Sequence, residues 1–306
     1  MAFAAFGASS GAEAVAPLKR AAGIALILLL PGLAYLALFY ITPLVSLLVT
    51  SFAPHEVVLD RGQPATELAW FETYWLAIES YWPHFFRSFG FALIATVLCL
   101  AIGYPVAYFI GVTARKWPMI QALALILVIA PFFISFLLRT LAWKQILGNN
   151  GWIASALHGL GWLPPDQSIV GTDFSVVFGL TYNFIPFMVL PIYATLERLD
   201  LRYVEAGSDL YASAWTTFWK VTFPLSLPGV VSGTLLTFIP AAGDFINAAQ
   251  EYLGGPQTAM VGNVIEGTFL RSGEVELASA LSALLMGVII VLISVYVRRT
   301  GTDELL

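Results

Sequence analysis

Six long runs of uncharged, mostly apolar residues constrain this chain more than any other feature of its sequence. A helix needs about 20 apolar residues to cross the roughly 30 Å hydrocarbon core of a bilayer, and each run is long enough. The pattern therefore predicts six membrane-spanning helices, near residues 22–50, 86–112, 118–139, 174–196, 226–249 and 277–298.

A seventh uncharged run, 145–165, has the length of a span but is rich in glycine, proline and asparagine. Backbone polar groups in lipid need partners within the protein, and so many breakers would leave them unpaired. We therefore predict a loop or a re-entrant segment here.

Composition agrees with a membrane protein. Of the 306 residues, 59% are hydrophobic and 11% are charged, whereas a soluble domain carries about 25% charged residues. These values exclude a disordered chain, a basic nucleic-acid-binding protein and an ordinary soluble enzyme. We expect an all-α integral membrane fold with one transmembrane domain, 21–300, and short tails at 1–20 and 301–306.

The distribution of Lys and Arg predicts the orientation. With the N-terminus inside, nine of the fourteen Lys and Arg residues fall in cytoplasmic segments, as the positive-inside rule requires. Both termini are then cytoplasmic. The first apolar run is too long for a signal-peptide core, so we interpret it as a retained anchor.

The sequence contains none of the common phosphate-binding, zinc-protease, hydrolase or dinucleotide motifs. A single cysteine, Cys99, excludes an intrachain disulfide and a Cys-based zinc site. We therefore expect no catalytic residue, no metal and no cofactor in this chain. Prolines recur within the predicted spans, which favours a transport pathway, since broken helices are tolerated where they line a cavity.

The cytoplasmic segment between the fourth and fifth helices, 203–224, carries the most specific pattern. It resembles the EAA loop of type I bacterial ABC importer permeases, in which Glu-Ala-Ala is followed after three residues by Gly and later by Pro. The residues that carry or interrupt the resemblance are Glu205, Ala206, Gly207, Asp209, Leu210, Tyr211, Ala212, Ser213 and Pro224.

Two positions depart from that pattern. Gly207 replaces the second alanine, and Tyr211 replaces the glycine that permits a bend in the family's coupling helix. A tyrosine adopts left-handed geometry only at some cost. We therefore expect either a different bend or a helix that continues through position 211.

Three further segments, 139–157, 178–200 and 243–265, resemble permeases of the spermidine/putrescine importer group. The resemblance implies the six-helix, MetI-like fold of type I importers in the bacterial inner membrane, surrounded by lipid. It also implies a second permease subunit, two ATP-binding subunits that hold ATP and Mg²⁺, and an extracytoplasmic substrate-binding protein. Permeases for ferric iron, thiosulfate or amino acids share this scaffold, and a channel subunit without an ATPase is a further alternative.

One acidic residue, Asp244, falls within a predicted span, and an intramembrane carboxylate is a candidate functional group. A polyamine is an extended polycation, and aromatic faces also attract cations. The candidate substrate pathway therefore comprises Asp244, Phe245, Tyr182, Asn183 and Trp143, with Glu251 at the entrance. The alternatives are a salt bridge from Asp244 to Arg139 or Arg87, or a water-exposed helix end.

Overall fold

The computed structural model describes residues 28–57, 66–164, 167–209 and 211–300. In these ranges five helices are long and apolar enough to cross a membrane, and a bent pair of shorter helices raises the number to six. The predicted tails at 1–20 and 301–306, and Leu210, lie outside the described residues.

The first helix, α1, covers Leu28–Ser51 where a span at 22–50 was predicted, and residues 22–27 lie outside the described part. Its turn at Ala37–Ile41 is a π-helix, which the Thr42 N–H closes on the Ala37 carbonyl. Pro43 follows and has no N–H to donate. The backbone hydrogen-bond pattern of α1 therefore changes at the π turn, immediately before Pro43.

A short antiparallel hairpin follows, formed by β1 (His55–Val57) and β2 (Thr66–Leu68), with His55 opposite Leu68. The next helix, α2, begins at Trp70 and continues to Lys116, so the predicted start near 86 was too late. Polar residues in the first turns hid this extension. Glu72 in fact favours the helix start, because its carboxylate accepts the Ala69 N–H at 2.8 Å, which satisfies a free amide.

The predicted third span, 118–139, is wrong in shape. Helix α3 (Pro118–Ile129) ends in a 3₁₀ turn at Ala130–Phe133, and helix α4 (Phe136–Leu147) starts after an extended break. The two halves of this segment are bent by 96°. Pro131 removes a helical donor beside the break. A short helix, α5 (Trp152–Gly159), then occupies part of the segment for which a loop was one of the two predictions.

Helix α6 (Asp173–Arg198) lies where a span at 174–196 was predicted. After a short helix, α7 (Arg202–Asp209), a continuous helix, α8, extends over Ala214–Ala242. The prediction of a fifth span at 226–249 is therefore wrong at its end, since α8 stops at Ala242 and the chain turns. Asp244 and Phe245 lie beyond the helix rather than within it.

The remaining helices are α9 (Val261–Gly267), prolonged by a π turn at Thr268–Ser272, and α10 (Val275–Thr300). Gly273 separates them with φ +73°, a left-handed conformation that glycine adopts without cost. The last predicted span, 277–298, falls inside α10.

The core lies where α2, α6 and α8 pack together, and small residues allow this close approach. An alanine Cβ at Gly229 of α8 would meet the Pro191 carbonyl oxygen at 2.8 Å and the Ile192 Cα at 2.9 Å. At Gly233 it would meet the Met188 carbonyl oxygen at 3.0 Å. Small interface residues are the usual means by which membrane helices approach each other.

Cys99 of α2 belongs to this core. Its side chain is fully buried, and its Sγ donates to the Thr181 carbonyl at 3.3 Å. A packing role for the single cysteine is therefore sufficient to explain its position.

We predict that Gly229→Ala destabilises the packing of α8 on α6 by roughly 1–3 kcal/mol, because backbone atoms cannot yield to the added methyl group. The measurement is the apparent Tm of the purified protein in mild detergent. Gly90→Ala is the matched control, since a Cβ at that position meets nothing within 4 Å. An unchanged Tm in Gly229→Ala would contradict the close approach.

Candidate functional site

The loop at 203–224, with the residues that flank it, forms two short helical pieces joined by a sharp bend. Helix α7 begins at Arg202, whose N–H is accepted by Asp200 Oδ1 at 3.0 Å. After the bend, Ser213 caps the start of α8 and accepts the Thr216 N–H at 3.2 Å. Both pieces therefore begin at side-chain caps that the local sequence supplies.

Gly207 is the point where α7 packs against α8. It is buried, and an added Cβ would meet Thr217 Oγ1 at 2.7 Å and Thr217 Cγ2 at 2.9 Å. The glycine in place of the second alanine of the EAA pattern thus lets the two pieces lie closer together. Glu205, Ala206 and Asp209 of α7 are exposed.

Tyr211 makes the bend. Its φ is +55°, and it is the one non-glycine residue with positive φ in the part of the chain that the structure describes. The Ala212 N–H donates to the Gly207 carbonyl at 3.0 Å and closes the turn. Of the two expectations, a helix that continues through position 211 is wrong. The chain bends as the glycine pattern requires, although a tyrosine occupies the position.

The tyrosine ring is 99% exposed, so no internal contact offsets the backbone cost. A left-handed residue with a Cβ costs roughly 1–2 kcal/mol. This cost is therefore offset by other contacts of the loop, of which the packing of Gly207 against Thr217 is one.

Arg115 joins the end of α2 to the end of α6, just before the loop, a role that sequence reasoning missed. Its guanidinium donates to the carbonyls of Leu196 at 2.8 Å and Leu199 at 3.1 Å, and also to that of Glu197. These carbonyls lie at and just after the end of α6, where a cation is also favoured by the helix dipole. The position of Arg115 in a cytoplasmic turn signalled orientation but not this contact.

The start of α8 is anchored by aromatic packing. Phe218 lies 5.5 Å from Tyr104 and 5.1 Å from Trp219 between ring centroids. Pro224 follows a π turn at Phe218–Thr222, as Pro43 follows the π turn of α1. Because α8 is continuous from this cluster to Ala242, displacement of the loop must displace the whole helix.

A second candidate site is a chain of buried polar side chains near the other end of α8. Asn183 Nδ2 donates to Thr140 Oγ1 at 3.2 Å and to Asn247 Oδ1 at 3.0 Å. Asn247 in turn donates to Asp244, from its backbone N–H at 2.7 Å and from Nδ2 at 3.1 Å. The structure thus joins Asp244 and Asn183, both predicted, through Asn247, and Thr140 is a further partner of Asn183; Asn247 and Thr140 were missed.

Asp244 lies two residues beyond the end of α8 and is buried. Burial raises the pKa of its carboxyl group to about 6, although the hydrogen bonds from Asn247 oppose the shift. It forms no ion pair within the described residues, so neither salt-bridge alternative is present. Arg87 instead donates to the Ala259 carbonyl at 2.8 Å. The water-exposed alternative is wrong as well.

The aromatic residues of the predicted pathway lie in two places. Trp143 makes T-shaped contacts with two rings, Tyr182 at 5.2 Å and Phe178 at 4.6 Å between ring centroids. Phe245 is half exposed beside the polar chain. These rings therefore do not form one cage around Asp244.

Glu251 lies apart from the polar chain. Its carboxylate is exposed and pairs with Arg271 at 3.0 Å, and the hydrogen bonding at this exposed site lowers the pKa of Glu251. Lys144 donates to the Glu251 backbone carbonyl at 2.8 Å. A cavity of about 220 Å³ beside it is also lined by Glu266 and Asn263. This geometry is compatible with an entrance but does not connect Glu251 to Asp244.

The sequence held one signal for Asn247 and Thr140. Thr140 directly follows Arg139, and Asn247 lies three residues after Asp244, each in a mostly apolar segment. Among the described residues, no group of three or more His, Cys, Asp or Glu side chains could hold a metal ion.

We predict that Tyr211→Asn slows hydrogen exchange of the Ala212 amide about three- to tenfold, because asparagine tolerates left-handed geometry better. Tyr211→Val should accelerate the exchange, since a β-branched residue resists that conformation. Mass-spectrometric exchange on the purified protein tests both. Equal rates in all three proteins would show that position 211 is not strained.

Comparison with known proteins places these features in a family. Residues 119–300 match the family described as the binding-protein-dependent transport system inner membrane component. The spermidine/putrescine transport system permease protein PotB of Haemophilus influenzae is 39% identical over 212 residues, which cover 69% of this chain and 72% of that protein. PotB of Escherichia coli is 36% identical over 214 residues, 70% of this chain and 76% of that protein.

A more distant relative carries a different name. The molybdenum transport system permease protein ModB of Mycobacterium bovis is 28% identical over 243 residues, 74% of this chain and 89% of that protein. The scaffold therefore serves more than one kind of transport system.

Solved structures share the fold. A bacterial ABC transporter for import of the acidic polysaccharide alginate aligns with a TM-score of 0.64 at 16% identity, covering 92% of this chain and 96% of that chain. The inward-facing MetNI methionine ABC transporter aligns with a TM-score of 0.53, covering 76% of this chain and 96% of that chain. The chain therefore belongs to the family of inner membrane components of binding-protein-dependent transport systems, and it is a non-catalytic, multi-pass permease subunit of an ABC importer.

Proposed function

We propose that this permease forms half of the translocation pathway for a polyamine such as spermidine or putrescine. The identity of 39% to a spermidine/putrescine permease is the observation that carries the proposal. A buried carboxylate, Asp244, is chemically suited to a cationic cargo.

The complete importer, in this proposal, contains a second homologous permease, two ATP-binding subunits and an extracytoplasmic binding protein. ATP and Mg²⁺ belong to the ATP-binding subunits, and this chain needs no cofactor. Both termini of the chain are cytoplasmic, so the loop at 203–224 meets the ATP-binding subunits.

Coupling in this proposal uses the exposed face of α7. Glu205, Ala206 and Asp209 present a small, acidic surface, and the bend at Tyr211 turns it away from α8. Movement of an ATP-binding subunit against α7 would pass to α8 through the contact of Gly207 with Thr217. It would pass to α6 through the three residues that join α6 to α7, and from α6 to α2 through the bonds of Arg115 to the α6 carbonyls.

The cargo is tested by uptake into proteoliposomes that contain the complete importer and its loaded binding protein. We expect ATP-dependent uptake of labelled spermidine or putrescine. Molybdate, ferric iron, thiosulfate and amino acids serve as competitors in parallel. ATP-dependent uptake of one of those solutes, with no polyamine uptake, would overturn the polyamine proposal, and uptake without ATP would favour a channel.

We predict that Glu205→Arg uncouples ATP hydrolysis from transport. Reversal of charge on the exposed face of α7 should weaken docking by roughly 1–3 kcal/mol, since charge reversal at an interface places like charges together. The measurement is stimulation of ATPase activity by loaded binding protein, which should fall at least about fivefold.

Two variants control this experiment. Glu205→Gln removes the charge but not the hydrogen-bonding capacity and should have a smaller effect. Arg298→Glu reverses an exposed charge near the end of α10, outside α7, and should leave stimulation unchanged. Normal stimulation in Glu205→Arg would remove Glu205 from the coupling surface.

A further inference from the structure

Two buried side chains of opposite charge type lie in the membrane domain without an ion-pair partner among the described residues. Arg139 and Asp244 are each 7% exposed. Among the described residues, they are the buried Asp, Glu, Lys or Arg side chains. His55 is also buried, but it is charged only when protonated. Burial of an unpaired charge is costly, and such charges are normally paired or held by hydrogen bonds.

Arg139 is the less satisfied of the two. Its Nε and Nη1 atoms are buried and have no hydrogen-bond partner. The contact on one face of the guanidinium is the Phe136 ring, 5.6 Å from Cζ to the centroid. The described state thus leaves two donors of a buried cation available to an acceptor.

The polar chain connects the neighbourhoods of the two charges. Thr140, the residue after Arg139, accepts from Asn183, and Asn247 links Asn183 to Asp244. Asn183 Oδ1 is also buried without a partner. One acceptor, Asn183 Oδ1, and two donors, Arg139 Nε and Nη1, thus remain unused at or beside the polar chain. A rearrangement of the polar chain could form new hydrogen bonds with these atoms.

Both charged residues lie next to breaks in helical structure. Arg139 is in the first turn of α4, four residues after the extended Ser135 that follows the 96° bend. Asp244 follows the end of α8. Helix ends and short connections are where conformational changes concentrate, since they absorb backbone rotation at little cost.

We propose that Arg139 is a tethered counter-ion that takes the place of the cationic cargo at Asp244 once the cargo has left. In the described state the Asp244 carboxylate is held by Asn247 and is free of Arg139, so a cation can bind there. After release, α4 moves relative to the end of α8, and the guanidinium pairs with the carboxylate. This role rests on the proposed polyamine cargo, and it makes Arg139 a residue that determines release.

The first test is the transport kinetics of Arg139→Gln in proteoliposomes. Without the tethered cation the cargo stays longer at Asp244, so Vmax and KM should both fall, by about fivefold or more. Arg139→Lys keeps the charge and should restore both values to within about twofold. Arg298→Gln, a change of an exposed arginine in α10, is the control and should leave both values unchanged.

A structural role gives a different result. If Arg139→Gln only reduced the fraction of folded protein, Vmax would fall while KM stayed constant, and that outcome would overturn the proposal. Unchanged Vmax and KM would overturn it as well.

A second test does not depend on the cargo. Because Cys99 is the one native cysteine, Cys99→Ser with Arg139→Cys and Asp244→Cys gives a unique pair of thiols. Cross-linking with a short bifunctional thiosulfonate is compared between the nucleotide-free importer and the importer trapped with ATP and vanadate. We expect cross-linking in one of the two states to exceed the other at least about fivefold, as a two-state element requires.

Equal cross-linking in both states would overturn the exchange of partners. State-dependent cross-linking together with absent polyamine uptake by the wild-type importer would show that the proposed cargo is wrong and that the paired state exists. The two failures are therefore distinguishable.

Discussion

The close approach of α8 to α6 at Gly229 and Gly233 is the contact on which both candidate sites depend. Backbone atoms of α6 occupy the space that a Cβ at Gly229 or Gly233 of α8 would need. The two helices are therefore in direct backbone contact and should move together. Arg115 binds the C-terminal end of α6, while Asn183 of the same helix joins the buried polar chain. A displacement that begins at the loop therefore reaches the polar chain without passing through a flexible connection.

The length of α6 sets the scale of that transmission. Asn183 and Arg198 are separated by about 22 Å at 1.5 Å per residue, which is most of the thickness of a bilayer core. A rigid helix converts a small tilt at one end into a displacement at the other. The breaks before Arg139 and after Ala242 are where such a displacement can be absorbed. In this view α6 and α8 move together as a rigid pair, and the chain bends at the two breaks.

Hydrophobicity predicted where the helices are and failed where their shape depends on single residues. The span at 174–196 was visible because apolar residues fill the whole of α6. The early start of α2 was hidden because its first turns contain charged residues such as Glu72, which interrupt the uncharged run used to locate a span. The 96° bend and the end of α8 at Ala242 are set by local hydrogen bonding, which a sliding count of apolar residues does not measure. Asn247 was missed for the same reason, because its role lies in contacts with residues distant in sequence.

The two departures in the coupling loop are best understood together. Gly207 permits a contact with Thr217 that a Cβ would block, and this contact fixes the distance between α7 and the start of α8. With that distance fixed, the connection through Ala212 must bend sharply, so Tyr211 is held in left-handed geometry whatever its own preference. Tertiary packing thus overrides the local cost at one residue, as long as the neighbouring contacts are worth more. The Tyr211 ring is fully exposed, two residues after the end of α7. An exposed aromatic ring favours contact with another protein.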